Sequence, residues 1–384
     1  MSQRLTFSID EQVFQCSSET LKAPAFTVQS VPRNYELTWQ AERAPTASIN
    51  QHLAQNPNNV LLIDEKVWDL YGSDIIITAD RVFKATATEA FKTLDGVTEV
   101  LDFLQVREFT KGEQLIVVGG GIIQDIGAFV GAIYKRGIPW IYFPTTLLSM
   151  ADSCIGGKAG VNYKGAKNQL ALFSTPYHVT IHPQFLTTLP LEAITSGMGE
   201  VLKLCIIGGA YFIELYQAEV TKGQVHSKAA LQTLIMAALT VKKAIIEVDE
   251  FEINHRRSLN YGHTLGHAIE ALSDYAIPHG QAVVIGMVLV NELSHQQGLL
   301  SAADLKQFNT LCYDLISDAV LQQLARISFN NIMTLLQKDK KTVGAVTSFA
   351  FMEAPGDTRF VKVARDAGLM AAIDNALQKI LQRG

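Results

Sequence analysis

Apolar positions follow two regimes along the chain. Val60–Ile63 (VLLI), Leu115–Val118 (LIVV) and Trp140–Phe143 (WIYF) are short unbroken apolar runs, the pattern of strands buried on both faces of a parallel sheet. Each ends in residues suited to a turn: Asp64, then Gly119-Gly120-Gly121, then Pro144-Thr145-Thr146. Between the first two runs, Thr88–Leu104 carries apolar residues at helical spacing. This alternation predicts an α/β nucleotide-binding domain with a parallel sheet over residues 1–190. Within it, residues 1–57, interrupted by Pro24, Pro32 and Pro45, read as an irregular or β-rich edge. Beyond Leu189-Pro190 strand signals are scarce. Helical periodicity over Glu192–Leu215, Ser227–Val248, His263–Leu272 and Gln281–His295 predicts an all-α domain over residues 191–384.

Composition narrows the class. With 384 residues, 48% of them hydrophobic and 18% charged, the chain can bury more than one core. A net charge of −5 supplies no basic field for nucleic acid or an anionic membrane, so any anion site must be local. The start, MSQRLTFSIDEQ, lacks a signal-peptide pattern, and apolar stretches such as Ala282–Val290 are too short to cross a bilayer. A cytoplasmic protein with neither a nucleic-acid nor a membrane partner is expected. Cys16, Cys154, Cys205 and Cys312 form no CxxC pair, which predicts buried, reduced thiols.

Four clusters carry candidate chemistry. Gly119-Gly120-Gly121-Ile122-Ile123-Gln124-Asp125 follows a strand and opens a helix, where backbone amides and the helix N-terminus favour a phosphate; a plain tight turn would look similar. Asp64, at the end of the preceding strand, suits either a ribose hydroxyl or a helix N-cap. In Pro144–Asn168 (PTTLLSMADSCIGGKAGVNYKGAKN), hydroxyls, paired glycines and three lysines suit phosphates and a polyhydroxylated substrate. In His263-Thr264-Leu265-Gly266-His267 the two histidines lie four apart on one helical face. His279 follows, Glu200 precedes, and Arg256 and Asn260 stand at helical steps before the cluster. Two imidazoles and a carboxylate are a common zinc set with open positions. Glu200 and Lys203 share a helical face, as a surface salt bridge also would.

Together and in this order, VVGGGIIQDIGAFV, YKRG, PTTLLSMADSCIGGK, GMGEVLK, NYGHTLGHAIEA, PHGQAV and a late DKK resemble the 3-dehydroquinate synthase family of sugar phosphate cyclases, over about Asp64 to Lys341. The resemblance implies Glu200, His263 and His279 as metal ligands, for Zn2+ or Co2+, with His267 as a phosphate-binding or acid/base group. For NAD it implies Asp64, Glu89, Lys92 and Thr93, the stretch from Gly120 and Gly121 to Asp125, Thr145, Thr146, Lys158, Lys167, and Phe185–Thr188. For substrate it implies Arg136, Asp152, Lys158, Asn168, Lys203, Lys242, Glu252, Arg256, Asn260, His267 and one lysine of Lys340-Lys341. It further implies a homodimer, and a closed redox cycle in which NAD is used and regenerated while phosphate is eliminated and a six-membered carbocycle forms.

Retention of Arg256, Asn260 and His267, with DSxxGGK around Asp152, points within that family to the acid substrate, 3-deoxy-D-arabino-heptulosonate 7-phosphate, whose carboxylate needs a cation. Four places depart from the common pattern: Gln281 where HGE is usual, Ala166 before Lys-Asn, His182 where an aspartate is usual, and Ala171-Leu172-Phe173 in place of GAF. These leave a specialised cyclase of secondary metabolism, acting on sedoheptulose 7-phosphate or a related sugar phosphate, as the alternative. An iron-type metal-dependent alcohol dehydrogenase is a third reading; it would reduce NAD with net turnover.

Overall fold

The computed structural model of the chain describes residues 4–221, 227–328, 331–332 and 346–382. Strands β1 (Arg4–Ile9), β2 (Gln12–Ser17), β3 (Ala25–Val28) and β4 (Tyr35–Trp39) precede helix α1 (Pro45–Gln55). An alternating stretch follows: β5 (Val60–Asp64), α2 (Glu65–Tyr71), β6 (Val82–Ala85), α3 (Leu94–Val106), β7 (Leu115–Gly119), α4 (Gly121–Ile133) and β8 (Trp140–Pro144). Then come a hairpin of β9 (Lys158–Tyr163) and β10 (Ala166–Phe173), and strand β11 (His178–Ile181). After Pro190 the elements are α5 (Leu191–Gly208), α6 (Ala210–Thr221), α7 (Lys228–Ile246), α8 (His263–Leu272), α9 (His279–Gln296), α10 (Ala302–Tyr313), α11 (Asp318–Leu324), β12 (Val346–Ala354), β13 (Asp357–Ala364) and α12 (Ala367–Leu381). The chain divides into two compact units, Lys22–Pro190 and Met1–Leu21 with Leu191–Gly384.

In the unit spanning Lys22–Pro190, seven strands run in the order β3-β4-β11-β8-β7-β5-β6. All neighbours are parallel except β3 and β4. The apolar runs become its middle: every residue of β7 and β8 is buried, because helices cover both faces of such a sheet. From β5 the next strand, β6, lies to one side and β7 to the other. Connections therefore leave in opposite directions at the β5 and β7 ends, which is where a doubly wound sheet opens a crevice for a ligand. Helix α3 starts at Leu94, later than the apolar spacing suggests. Thr93 caps it, its hydroxyl accepting the Gly96 N–H at 3.4 Å, and residues 88–93 form a turn instead.

The other unit is largely helical, as expected, but it also holds a four-stranded sheet ordered β12-β13-β1-β2. Residues 4–17, read from sequence as part of the edge of the nucleotide-binding domain, belong to this sheet, β1 pairing parallel with β13 and antiparallel with β2. Alternation in RLTFSI explains the choice: Leu5, Phe7 and Ile9 are buried, and Phe7 stacks on Phe14 of β2 with centroids 5.4 Å apart. The periodic stretch from Glu192 to Leu215 is two helices, broken at Gly209, which packs against the backbone of Gly356. The Ala229–Ile246 window of α7 is long and apolar enough to cross a membrane by length and composition, yet 72% of it is buried inside the protein. It is a core helix. Cys16, Cys154, Cys205 and Cys312 are buried thiols.

Candidate active site

Glu200, on α5, has no exposed surface. A carboxylate in that position is costly unless paired, and three groups pair it. The Lys203 ammonium, one turn further along α5, contacts Oε2. Oε1 lies 3.4 Å from His263 Nε2 and 3.2 Å from His279 Nε2. The far side of each ring is also fixed. His263 Nδ1 lies 3.2 Å from the Tyr261 carbonyl oxygen, and His279 Nδ1 lies 3.2 Å from the Glu270 carboxylate. With each Nδ1 beside such an acceptor, both Nε2 atoms face Glu200, the arrangement by which proteins orient imidazole ligands. His267 closes the group: the three ring centroids stand 5.1, 5.5 and 5.4 Å apart, and one nitrogen from each lies within 4.8 Å of the others.

Charge in this cluster is strongly coupled. Burial works against the Glu200 carboxylate, but Lys203 and His263 outweigh it and hold its pKa well below the usual range. Burial, then the neighbouring Lys203, pushes His263 down. For His279 burial is overcome by hydrogen bonds to Glu200 and Glu270, which hold it at about 9. That ring holds its proton in the position that a divalent cation can take instead. A buried carboxylate and two oriented Nε2 atoms fit Zn2+ or a similar ion.

Local backbone explains why His263 points inward. Gly262 has φ of +79°, and a Cβ there would lie 2.6 Å from Met287 Cγ and from the Val283 carbonyl oxygen, so only glycine fits. This left-handed residue starts α8 and cuts it off from what precedes. Arg256 and Asn260, expected at helical steps from His263, stand instead on a separate 3-10 turn, His255–Asn260. Asp249 builds the approach to that turn, its carboxylate accepting the backbone N–H of Ile253, Asn254 and Arg256 at 2.9, 2.8 and 2.9 Å. Arg256 is 1% exposed and its guanidinium donates to the Glu250 carbonyl. Asn260 Nδ2 donates to Glu252 Oε1 at 2.7 Å, and both line a cavity of about 280 Å³ with Arg257, Thr264, Phe349 and Phe360. Lys242 is buried on α7. Lys340 and Lys341 lie outside the described residues.

In the nucleotide-binding unit, the anticipated residues gather at the C-terminal ends of β5, β7 and β8. Gly120 is the N-cap of α4 and supplies no side chain to its first turn. A Cβ on Gly121 would meet only Ser153 Oγ, at 3.9 Å, so this helix end faces open space and can receive an anion. Asp64 caps α2, accepting the Lys66 N–H at 2.9 Å; the cap reading of this residue is realised. The Thr145 N–H donates to Gly119 O at 3.0 Å, docking the end of β8 on the glycine turn. Thr146 shares a 2.9 Å hydrogen bond with Ser149, at the start of the π-helical turn Ser149–Ser153 that carries Asp152. Gln124 pins that turn through two 2.6 Å bonds with Ser153. Lys92 pairs with Asp125 at 2.5 Å and Lys167 with Glu89 at 3.1 Å.

Lys158 is exposed at the start of β9, and Asn168 sits at an irregular point of β10 with φ of +51°. Phe185 is 2% exposed and packs edge-on against Tyr71, so its side chain is core; Thr188 shares a 3.1 Å hydrogen bond with Tyr71. Arg136 stands apart from this group. It follows the C-terminal end of α4, a helix of 13 residues, so the length of that helix, roughly 20 Å, separates it from the glycine turn. Three residues not anticipated from sequence organise these groups: Glu270, Asp249 and Asn162. Glu270 was accessible in principle, since it lies seven residues after His263 on the same helical face.

Comparison with known proteins agrees with this architecture. Residues 82–196 match the 3-dehydroquinate synthase N-terminal family and residues 197–342 the 3-dehydroquinate synthase C-terminal family. A 3-dehydroquinate synthase from Streptococcus equi subsp. equi is 34% identical over 330 residues, covering 84% of this chain and 90% of the relative. A crystal structure of 2-deoxy-scyllo-inosose synthase complexed with carbaglucose-6-phosphate, NAD+ and Co2+ superposes with a TM-score of 0.79 at 19% identity, covering 94% of this chain and 100% of that one. The 2-epi-5-epi-valiolone synthase of Streptomyces hygroscopicus subsp. jinggangensis, with NAD+ and Zn2+ bound, gives 0.75 at 22% identity over 94% and 100%. At such identities the two structures speak to fold, whereas the sequence relative and the paired domain families reach further: the chain belongs to the 3-dehydroquinate synthase family of sugar phosphate cyclases.

Proposed function

We propose that this protein converts 3-deoxy-D-arabino-heptulosonate 7-phosphate to 3-dehydroquinate, using NAD and a divalent metal, Zn2+ or Co2+. The observation that carries the reading is the buried Glu200 carboxylate set against two imidazole Nε2 atoms at 3.4 and 3.2 Å. When bound, NAD takes up and returns a hydride at a secondary alcohol while the metal polarises that oxygen. Glu200, His263 and His279 are the metal's ligands in this reading. Asp64, Glu89, Lys92, Gly120, Gly121, Asp125, Thr145, Thr146, Lys158, Lys167 and the turn to Thr188 serve NAD. Structures of the same fold complexed with NAD+ and Co2+ or Zn2+ support the choice of cofactor and metal.

The remaining residues bind and orient. Arg256 and Asn260 take the substrate carboxylate, and Lys203 and Lys242 hold anionic oxygens, in positions where burial strengthens each charge. Glu252 fixes the Asn260 amide. His267, exposed beside the buried His263 and the half-buried His279, holds the phosphate or moves a proton. Lys158, Asn168, Asp152 and one lysine of Lys340-Lys341 complete the substrate set; Arg136, beyond the far end of α4, is left out of it. A homodimer and a cytoplasmic setting, which keeps the four thiols reduced, belong to the same reading. A second reading, a cyclase acting on sedoheptulose 7-phosphate, rests on the departures at Gln281, Ala166 and His182. Of these Gln281 is buried and receives the Ser317 hydroxyl at 3.4 Å.

The test is to incubate the protein with NAD+, Zn2+ or Co2+, and either the sugar acid phosphate or sedoheptulose 7-phosphate. Expected is phosphate release from the acid with no accumulation of NADH. Release from sedoheptulose 7-phosphate alone would overturn the substrate, and steady NADH formation from a simple alcohol would overturn the cyclase.

A further inference from the structure

Asn162, on β9, uses its whole side chain on two segments that are remote in sequence. Its Nδ2 donates to the Glu89 carbonyl at 3.1 Å and to Glu89 Oε2 at 2.7 Å. Its Oδ1 accepts the Asn168 backbone N–H at 3.1 Å. Its own N–H donates to the Lys92 carbonyl at 2.8 Å, within a parallel bridge between Thr93 and Asn162. The side-chain amide thus spends both donor hydrogens and its acceptor on one joint. On one side lies the turn 88–93, with Glu89 and Lys92. On the other lies the irregular point of β10, where Asn168 adopts φ of +51° and the register with β9 shifts. The Lys167–Glu89 ion pair at 3.1 Å spans the same gap.

We propose that Asn162 is a positioning residue that couples cofactor binding at the Glu89–Lys92 turn to the placement of Asn168 for substrate. The inference rests on assigning the turn to NAD and Asn168 to substrate. A ligand that orders the turn fixes Glu89; Glu89 fixes the Asn162 amide; and the amide holds the Asn168 N–H, so the substrate side is pre-formed at no further ordering cost. By linkage, substrate must tighten NAD binding by the same factor. Asn162→Ala removes the joint. Asn162→Asp keeps the acceptor for Asn168 but loses the donors and sets a carboxylate against Glu89, so it too uncouples the segments.

Two measurements test this. In the wild-type protein, hydrogen exchange of the Asn168 backbone amide is followed with and without saturating NAD+, no substrate being present; NAD+ should slow it roughly ten-fold, while the Tyr177 N–H, bonded to the Trp140 carbonyl at 2.7 Å away from this joint, serves as the internal comparison. In steady-state kinetics, raising NAD+ from well below its saturation to saturation should lower the KM for the sugar acid phosphate roughly ten-fold in the wild type, and by less than about two-fold in either Asn162 variant, with kcat at saturating NAD+ within a few-fold. Failure of the wild type to bind NAD+ removes the functional reading and this proposal with it. NAD+ binding that leaves Asn168 exchange unchanged overturns the joint alone, whether or not the variants fold. Folded variants that keep the ten-fold effect of NAD+ on KM overturn it as well.

Discussion

Glu270 is assigned to neither metal nor substrate, yet it decides what His279 offers. Its carboxylate, 6% exposed, receives Nδ1 at 3.2 Å and leaves Nε2 facing Glu200. Groups of this kind commonly change metal affinity by ten- to a hundred-fold. Glu270→Ala should therefore raise the Kd for Zn2+ by about ten-fold or more, measured by competition with a chelator on the metal-free protein. Glu270→Gln, which keeps an acceptor for Nδ1–H but not the charge, should recover much of that loss. Equal affinity in the Ala variant and the wild type would mean that packing alone orients the ring. Asp249 has the same character for another group: three backbone N–H bonds to one carboxylate set the course of the chain into Arg256. Residue types in the sequence offered the candidate ligands; the residues that aim them came from contacts across the fold.

At the scale of elements, the strand ends do the placing. β5, β7 and β8 deliver Asp64, the glycine turn and the Thr145-Thr146 pair to one edge of the sheet, and β11 leads into the turn Pro183–Thr188 through His182. His182 has no exposed surface. It stacks on Phe143 of β8 with centroids 6.1 Å apart and meets Phe185 edge-on at 6.3 Å. Burial pushes its pKa down to about 4, against about 6.5 when unfolded. The unfolded chain takes up a proton below about pH 6.5 that the folded ring refuses until about pH 4, so stability is full above 6.5 and falls between those limits, by up to about 3 kcal/mol. Urea unfolding at pH 7 and pH 4.5 should show His182→Asn losing less stability over that interval than the wild type. A parallel loss in both proteins would place the pH dependence elsewhere.

For the whole molecule, chain order and spatial order part company at the N-terminus. β1 and β2 precede the α/β unit Lys22–Pro190 in sequence but complete a sheet with β12 and β13, placing Leu5, Phe7, Ile9 and Phe14 in the core of the helical unit. Deleting residues 1–17 would uncover β13 and remove that apolar layer. The apparent Tm of the helical unit should fall by about 5 °C or more, a shift worth roughly 1–2 kcal/mol, while the NAD+ affinity assigned to Lys22–Pro190 stays within a few-fold. Calorimetry and NAD+ titration of the deletion variant check this. An unchanged Tm would mean that the β12–β13 hairpin is stable without its partners.

The sequence by itself determined the layer plan and the chemistry available. Continuous apolar runs can be buried only in a covered parallel sheet, helical periodicity after Pro190 can be satisfied only by helix packing, and a glutamate, two spaced histidines and a glycine turn declare their chemistry by residue type. His263–Leu272 even has the helix limits expected of it. Tertiary structure decided what depends on contacts between distant segments: which sheet receives residues 4–17, where α3 begins, that Arg256 and Asn260 stand on a separate turn before α8, and that Glu270, Asp249 and Asn162 orient the groups around them. The physical reason is range. Periodicity and turn chemistry act within a few residues and are written locally, whereas hydrogen-bond partners such as Asn162 and Glu89, 73 residues apart, exist only after the chain has closed on itself.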